Sequence, residues 1–191
     1  MWLQYQDLII RNALAEDAQQ LAAWWNDGSI MAHAGFPNGI GKSVQDIADS
    51  LQKDSDVTQR RLIVQIDCTP IGEMNYRTAG GGIAEIGINL CESSTQNRGL
   101  GKILLSILIS SLFSDMGYQK IRLDTDLRNT RAQHVYEQLG FTKLRVNENS
   151  WTDQLGEQRS SVDYELIPED FICFWAENPF WRCPHTGNRS S

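Results

Sequence analysis

The chain has 191 residues, 41% of them hydrophobic and 21% charged, which suits one domain that buries its own core and excludes wholesale disorder. With 17 Lys and Arg against 24 Asp and Glu the formal charge is −7; this argues against binding along a nucleic-acid backbone, which needs clustered cations, and fits a cationic substrate as well as it fits plain solubility. Nothing approaches the roughly 18 apolar residues of a membrane helix, and Met1-Trp2-Leu3-Gln4 has no basic segment leading into an apolar one, so a cytoplasmic protein is expected, off the membrane, with Cys68, Cys91, Cys173 and Cys183 as reduced thiols.

Residues 7–12 read as a first strand, followed by a helix whose Ala18, Leu21, Ala22 and Trp25 fall on one face. Glycines and Pro37 break regularity from Gly28 to Lys42. Ser43 with Asp46 three residues on then forms a capping box opening a second helix, and the whole segment reads as a flap. Leu62, Val64 and Ile66 alternate, Cys68-Thr69-Pro70 makes a turn, and residues 71–77 return as the other arm of a hairpin. After the turn at residues 79–82, Ile86, Ile88 and Leu90 alternate with Glu85, Gly87 and Asn89, which places Glu85 and Asn89 on one face.

Leu100 to Met116 is apolar nearly all round, the pattern of a helix buried against a sheet, and Gly117 ends it. Ile121 and Leu123 alternate with Arg122 and Asp124 in a strand, and Ala132, Val135, Tyr136 and Leu139 mark a helix closed by Gly140. Two more strands are expected near 141–148 and 159–166. From about Phe171 periodicity ends, so the division is a domain over 1–170 and an irregular tail over 171–191.

Gln96-Asn97-Arg98-Gly99-Leu100-Gly101 joins a strand to the long apolar helix, where glycines permit close approach and successive N–H groups face an anion. By itself such a turn is better read as serving packing. In context, Gln96, Gly99 and Gly101, preceded by Ala84-Glu85-Ile86-Gly87-Ile88 and followed by Asn129, Ala132, Tyr136, Gly140 and Phe141, make the stretch 84–141 resemble the GNAT acetyltransferase superfamily in two motifs in the correct order.

The resemblance extends over most of residues 7–167. It implies an α/β (α+β) fold with a mixed central sheet of about seven strands, splayed between the fourth and fifth and flanked by about four helices. It also implies acetyl-CoA as co-substrate, with no metal. Its pyrophosphate would lie on Gln96, Asn97, Arg98, Gly99, Leu100, Gly101 and Lys102, and its pantetheine would run along Ile88 and Leu90. Asn129 would bond the same arm. Arg131 would take a phosphate, a role as well matched by a solvated charge on an exposed helix face. Tyr136 stands where the family places its general acid; the other reading of that position is a core aromatic. Glu85 is the candidate general base, against the reading of a paired surface carboxylate.

The expected activity is transfer of acetyl to a primary amine by direct attack through a tetrahedral intermediate. Asn26-Asp27 and Trp151-Thr152-Asp153 are similar to the branch of ribosomal-protein-alanine and small-amine acetyltransferases. A polyamine, an aminoglycoside-like amine and a protein N-terminus all stay open as acceptors. The alternative is a non-catalytic acyl-CoA-binding sensor or interaction module, and a homodimer is a family-level expectation. Gly35 to Ser43 misses P-loop spacing by one residue, Cys173, Cys183 and His185 lack metal-site spacing, and His134 belongs on the exposed side of its helix. Trp24 and Trp25 are placed to flank the acceptor site, although Trp25, on the apolar stripe, reads more readily as core.

Overall fold

The computed structural model describes residues 1–92 and 99–174. Strands β1 (Trp2–Tyr5), β2 (Leu8–Asn12), β3 (Gln59–Ile66), β4 (Thr69–Gly80), β5 (Ile83–Leu90), β6 (Lys120–Asp126), β7 (Thr142–Thr152) and β8 (Gln158–Leu166) form one sheet in the order β1-β2-β3-β4-β5-β6-β8-β7. Helices α1 (Ala18–Trp25), α2 (Gly28–Met31), α3 (Val44–Leu51), α4 (Leu100–Ser114) and α5 (Thr130–Gln138) complete it. The mixed α/β architecture is the expected one, with eight strands instead of seven and five α-helices instead of about four. The added strand is β1, paired to β2 through a turn in which Gln6 has φ 55°. It escapes a periodicity reading because Trp2 points into solvent at 60% exposure while only Leu3 is buried.

The β3–β4 turn also differs from expectation. Asp67 and Cys68, both at positive φ (47° and 65°), are its two central residues, and Thr69 and Pro70 already belong to β4. Pro70 is tolerated there because the ladder slips beside it, between Val64 and Gln65.

Alternation divides the sheet chemically. One face carries Leu62, Val64, Met74, Tyr76, Ala84, Ile86, Ile121, Leu123, Val162 and Tyr164, all packed around α4 in a single apolar cluster. Each such side chain contributes roughly 1.5–3 kcal/mol if fully buried, so α4, buried from Leu104 to Phe113, is the keel of the molecule. On the other face Ile63 packs with α1 and α3, while Glu73, Glu85, Arg122, Asp124 and Asp163 share the remainder by register. Helices cover only part of that second face, and a charged recess is left.

The expected capping box is present: Ser43 Oγ accepts from Asp46 N at 3.1 Å, and Ser43 Oγ lies 2.6 Å from Asp46 Oδ2. The flap between α1 and α3 is tied down. Asn26 Oδ1 accepts from Gly41 N at 2.8 Å, and Gln154, in the β7–β8 turn, bonds Asn38 N (2.9 Å) and Gly39 O (3.0 Å). At the other end, Gly140 has φ 94°, and a Cβ there would stand 1.9 Å from Asp170 O; only glycine lets residues 170–172 cross that point, where Ile172 N donates to Leu139 O at 3.0 Å.

Two expectations need correction. Trp24, not Trp25, is the fully buried tryptophan of α1, at 3% exposure; both fit a helical stripe from Leu21, and Trp25, only partly buried against the same cluster, reaches the charged recess, where Nε1 donates to Glu73 Oε1 at 2.7 Å. Cys68 and Cys91 are free thiols as expected, but Cys173 is disulfide-bonded. Residues 175–191, including most of the proposed tail, lie outside the described residues.

Candidate active site

β5 and β6 are the sheet's parallel neighbours, and their register holds only from Ile83↔Lys120 to Glu85↔Arg122. From Ile86 onward β6 offers β5 no partner. Every other strand junction is antiparallel, so this gap is where a ligand finds main-chain groups inside a sheet. It is the splay expected between strands four and five, counted without β1.

On one side of the gap lies a cavity of about 750 Å³. Ile88 and Leu90 on β5, Gly99, Gly101 and Lys102 at the start of α4, and Asn129, Arg131 and Tyr136 on or before α5 all line it. Leu100, also named from the sequence, packs its side chain on the core, which leaves it only main-chain atoms to offer. Gln96, Asn97 and Arg98 lie outside the described residues.

The entrance to α4 fits an anion. Gly99 caps it at φ 75°, and a Cβ on Gly99 would meet nothing within 4 Å, while one on Gly101 would meet only Leu90 Cδ1 at 4.0 Å. First-turn N–H groups of a helix lack intrahelical acceptors and carry the positive end of its dipole. The start of α4 is therefore suited to an anion, and among the described residues no side chain crowds its two glycines. Lys102 leans sideways, its Nζ 3.3 Å from Gln138 Oε1 and 4.0 Å above the Phe174 ring. Asn129 has a structural duty as the N-cap of α5, its Oδ1 accepting from Ala132 N at 3.1 Å; its amide NH₂ is the half left for a ligand.

Sequence reading missed the residues that hold this wall in place. Arg159 donates to Asp126 Oδ2 at 2.9 and 2.6 Å, and Asp126 Oδ1 accepts from Arg128 N at 2.8 Å. That pair fixes the end of β6 and the loop leading to Asn129.

Tyr136 packs edge-on to Tyr164 (5.6 Å) and tilted on Phe141 (5.8 Å), and it is 8% exposed at the cavity wall. Burial, then the charge of Asp124 and the neighbouring Tyr164, pushes the phenol up to about 12, so it stays protonated at neutral pH.

On the other side of the gap the charged recess forms a cavity of about 990 Å³, bounded by β3 to β8 with Trp25, Met31 and Ile40 above. Glu85 lines this cavity and not the first. Arg77, its partner by register on β4, donates to it from Nε and Nη2. Three carboxylates here, Glu73, Asp124 and Asp163, were not singled out from the sequence. Burial holds Glu73 above the usual carboxylate range despite the hydrogen bond from Trp25 and the charge of Arg61. Asp124 is raised by burial, then by the charges of Asp163 and Glu85, with Arg77 opposing. Its strand alternation was readable, but its isolation among paired neighbours was not. No group of three His, Cys, Asp or Glu among the described residues could hold a metal.

A family model described as an acetyltransferase (GNAT) domain matches residues 7–142. The spermidine N-acetyltransferase from Vibrio cholerae, crystallised with CoA and spermine, superposes with TM-score 0.77 at 19% identity, covering 87% of this chain and 98% of that one. The ribosomal-protein-S5-alanine acetyltransferase from Vibrio fischeri gives 0.74 at 15% identity, over 90% and 99%. A GNAT-family acetyltransferase from Streptococcus pneumoniae gives 0.72 at 23%, over 84% and 99%. No curated protein matches the sequence.

Proposed function

We propose that this chain, which belongs to the GNAT acetyltransferase family and is an acyl-CoA-dependent acetyltransferase, moves acetyl from acetyl-CoA to a primary amine that enters the larger, carboxylate-lined cavity. The observation that carries the reading is the gap between β5 and β6. It joins an anion-ready helix start and an open strand edge on one side to a recess suited to a cationic amine on the other.

In this reading, Gly99, Leu100, Gly101 and Lys102, with Gln96, Asn97 and Arg98 before them, hold the diphosphate. Ile88 and Leu90 align the pantetheine arm, Asn129 bonds it through its amide NH₂, and Arg131 meets a phosphate at the rim. Acetyl-CoA supplies an acyl carbon activated by its thioester. The acceptor nitrogen attacks that carbon to give a tetrahedral intermediate, and Tyr136, held neutral by burial, donates to the sulfur as charge develops there. Glu85 serves the acceptor side, where Arg77 holds its carboxylate in place.

A purified sample given acetyl-CoA and a panel of polyamines, aminoglycosides and peptides with free N-termini should release thiol with at least one of them. Coenzyme A binding without thiol release above background would instead mark a binding module, and no binding at all would end the reading. Two of the structures named above are a spermidine N-acetyltransferase and a ribosomal-protein-S5-alanine acetyltransferase, so polyamines and peptides both belong in the panel.

A further inference from the structure

The wall of the larger cavity is almost fully ion-paired. Arg61 pairs with Asp54 (2.7 Å), Arg60 with Asp56 (2.8 Å), Arg122 with Glu165 (3.0 Å), Arg145 with Asp163 (2.7 Å) and Arg77 with Glu85. Glu73 is satisfied by Trp25. Asp124 forms no ion pair among the described residues, although it faces Asp163 directly across the β6–β8 ladder. Like charges opposed on a sheet are unfavourable. Asp163 escapes the cost through Arg145 and through Asn147 Nδ2 at 2.9 Å; Asp124 does not. Asp124 is thus the carboxylate of this cleft that has only the more distant charge of Arg77 and, among the described residues, no ion pair of its own, which leaves it available to a cationic ligand.

Position adds to this. Asp124 stands two residues beyond Arg122, the last residue of β6 in register with β5, and on the same face. It is therefore at the mouth of the gap, open to water inside the cavity, and close enough to Tyr136 to act on that phenol. Glu85 lies beside the same mouth but is occupied by Arg77.

Resting on the acetyl-transfer reading, we infer that Asp124 is the catalytic residue that takes the proton of the acceptor ammonium, and that Glu85 is a positioning residue acting on it from β5. One N–H proton of the ammonium moves to a carboxylate oxygen of Asp124, leaving a neutral amine with its lone pair free. The nitrogen–carbon bond then forms, the carbon–sulfur bond breaks, and the sulfur leaves with its electron pair and the proton of Tyr136. The phenolate regains a proton from the acylated nitrogen, and Asp124 returns its own to solvent. The charges that set the proton affinity of Asp124 are Asp163 on β8, Glu85 on β5 and Arg77 on β4; Arg122 on β6 itself and Arg145 on β7 line the same cavity in ion pairs of their own, and Tyr136 on α5 feels the charge of Asp124.

The test is kcat/KM against pH, on full-length protein with acetyl-CoA and an amine that the panel identifies, together with calorimetric titration of coenzyme A. Asp124→Asn should lower kcat/KM by about 100-fold or more, erase the acidic limb and leave coenzyme A affinity within about twofold; Asp124→Glu should recover part of the rate. Glu85→Gln should keep the limb and move it to lower pH, because a charge that raises the proton affinity of Asp124 is gone. Should Asp124→Asn fail to fold, Asp124→Ser and the Glu85→Gln limb carry the same decision. An active wild type whose Asp124 variants keep their rate and acidic limb, or whose limb disappears with Glu85 alone, overturns this inference and spares the acetyl-transfer reading. A wild type that neither binds coenzyme A nor acetylates any amine overturns both.

Discussion

Tyr136 and Gly101 border the same cavity and respond to substitution in opposite ways. The ring of Tyr136 is fixed by Phe141 and Tyr164, and its hydroxyl has no hydrogen-bond partner among the described residues to lose. Tyr136→Phe should therefore keep its melting temperature and coenzyme A affinity while kcat falls by about 100-fold, as steady-state rates and calorimetry will show. Gly101 is helical with open space where a side chain would go. Gly101→Ala should gain up to about 1 kcal/mol of stability from helix propensity and lose tenfold or more in coenzyme A affinity, because the added methyl stands where the diphosphate would approach. The placing of Tyr136, Gly99 and Gly101 around one cavity was legible from the sequence because their motif is local. Asp124 and Glu73 were not, since what distinguishes them is the state of neighbours contributed by distant segments: a carboxylate is conspicuous only once Arg77, Arg145 and Arg122 are seen to be engaged elsewhere.

Among the elements, α4 and the Ser43 cap were readable because each is written in consecutive residues, an unbroken apolar run in one case and a reciprocal pair three apart in the other. β1 and the far half of β7 were not. Both are edge strands exposed along most of their length, so no alternation of apolar residues marks them. The flap carries a dependence invisible in its own composition, for Gln154 reaches it from more than a hundred residues away. Gln154→Ala removes two side-chain hydrogen bonds to the flap backbone and should cost about 1 kcal/mol. Met31 and Ile40 of the flap roof the larger cavity, so the same variant should raise KM for the amine while leaving coenzyme A affinity unchanged.

At the scale of the whole molecule, the overall order of strands and helices followed from periodicity, and the gap in the sheet followed only from the family resemblance, because no residue pattern in β5 announces where its pairing with β6 stops. Beyond Glu85 the two halves of the sheet are held by their shared packing on α4 rather than by a ladder. Residues 86–89 thus present a strand border in the middle of the protein, and strand borders recruit other strands. Without coenzyme A, concentrated protein should tend to self-associate, and those amides at 86–89 that point away from β4 should exchange quickly with deuterium, the others being held in the β4–β5 ladder. Saturation at a hundredfold excess over Kd should slow that exchange, add about 2.7 kcal/mol to unfolding and suppress the association, so that the co-substrate also works as a seam-filler protecting the enzyme from its own copies.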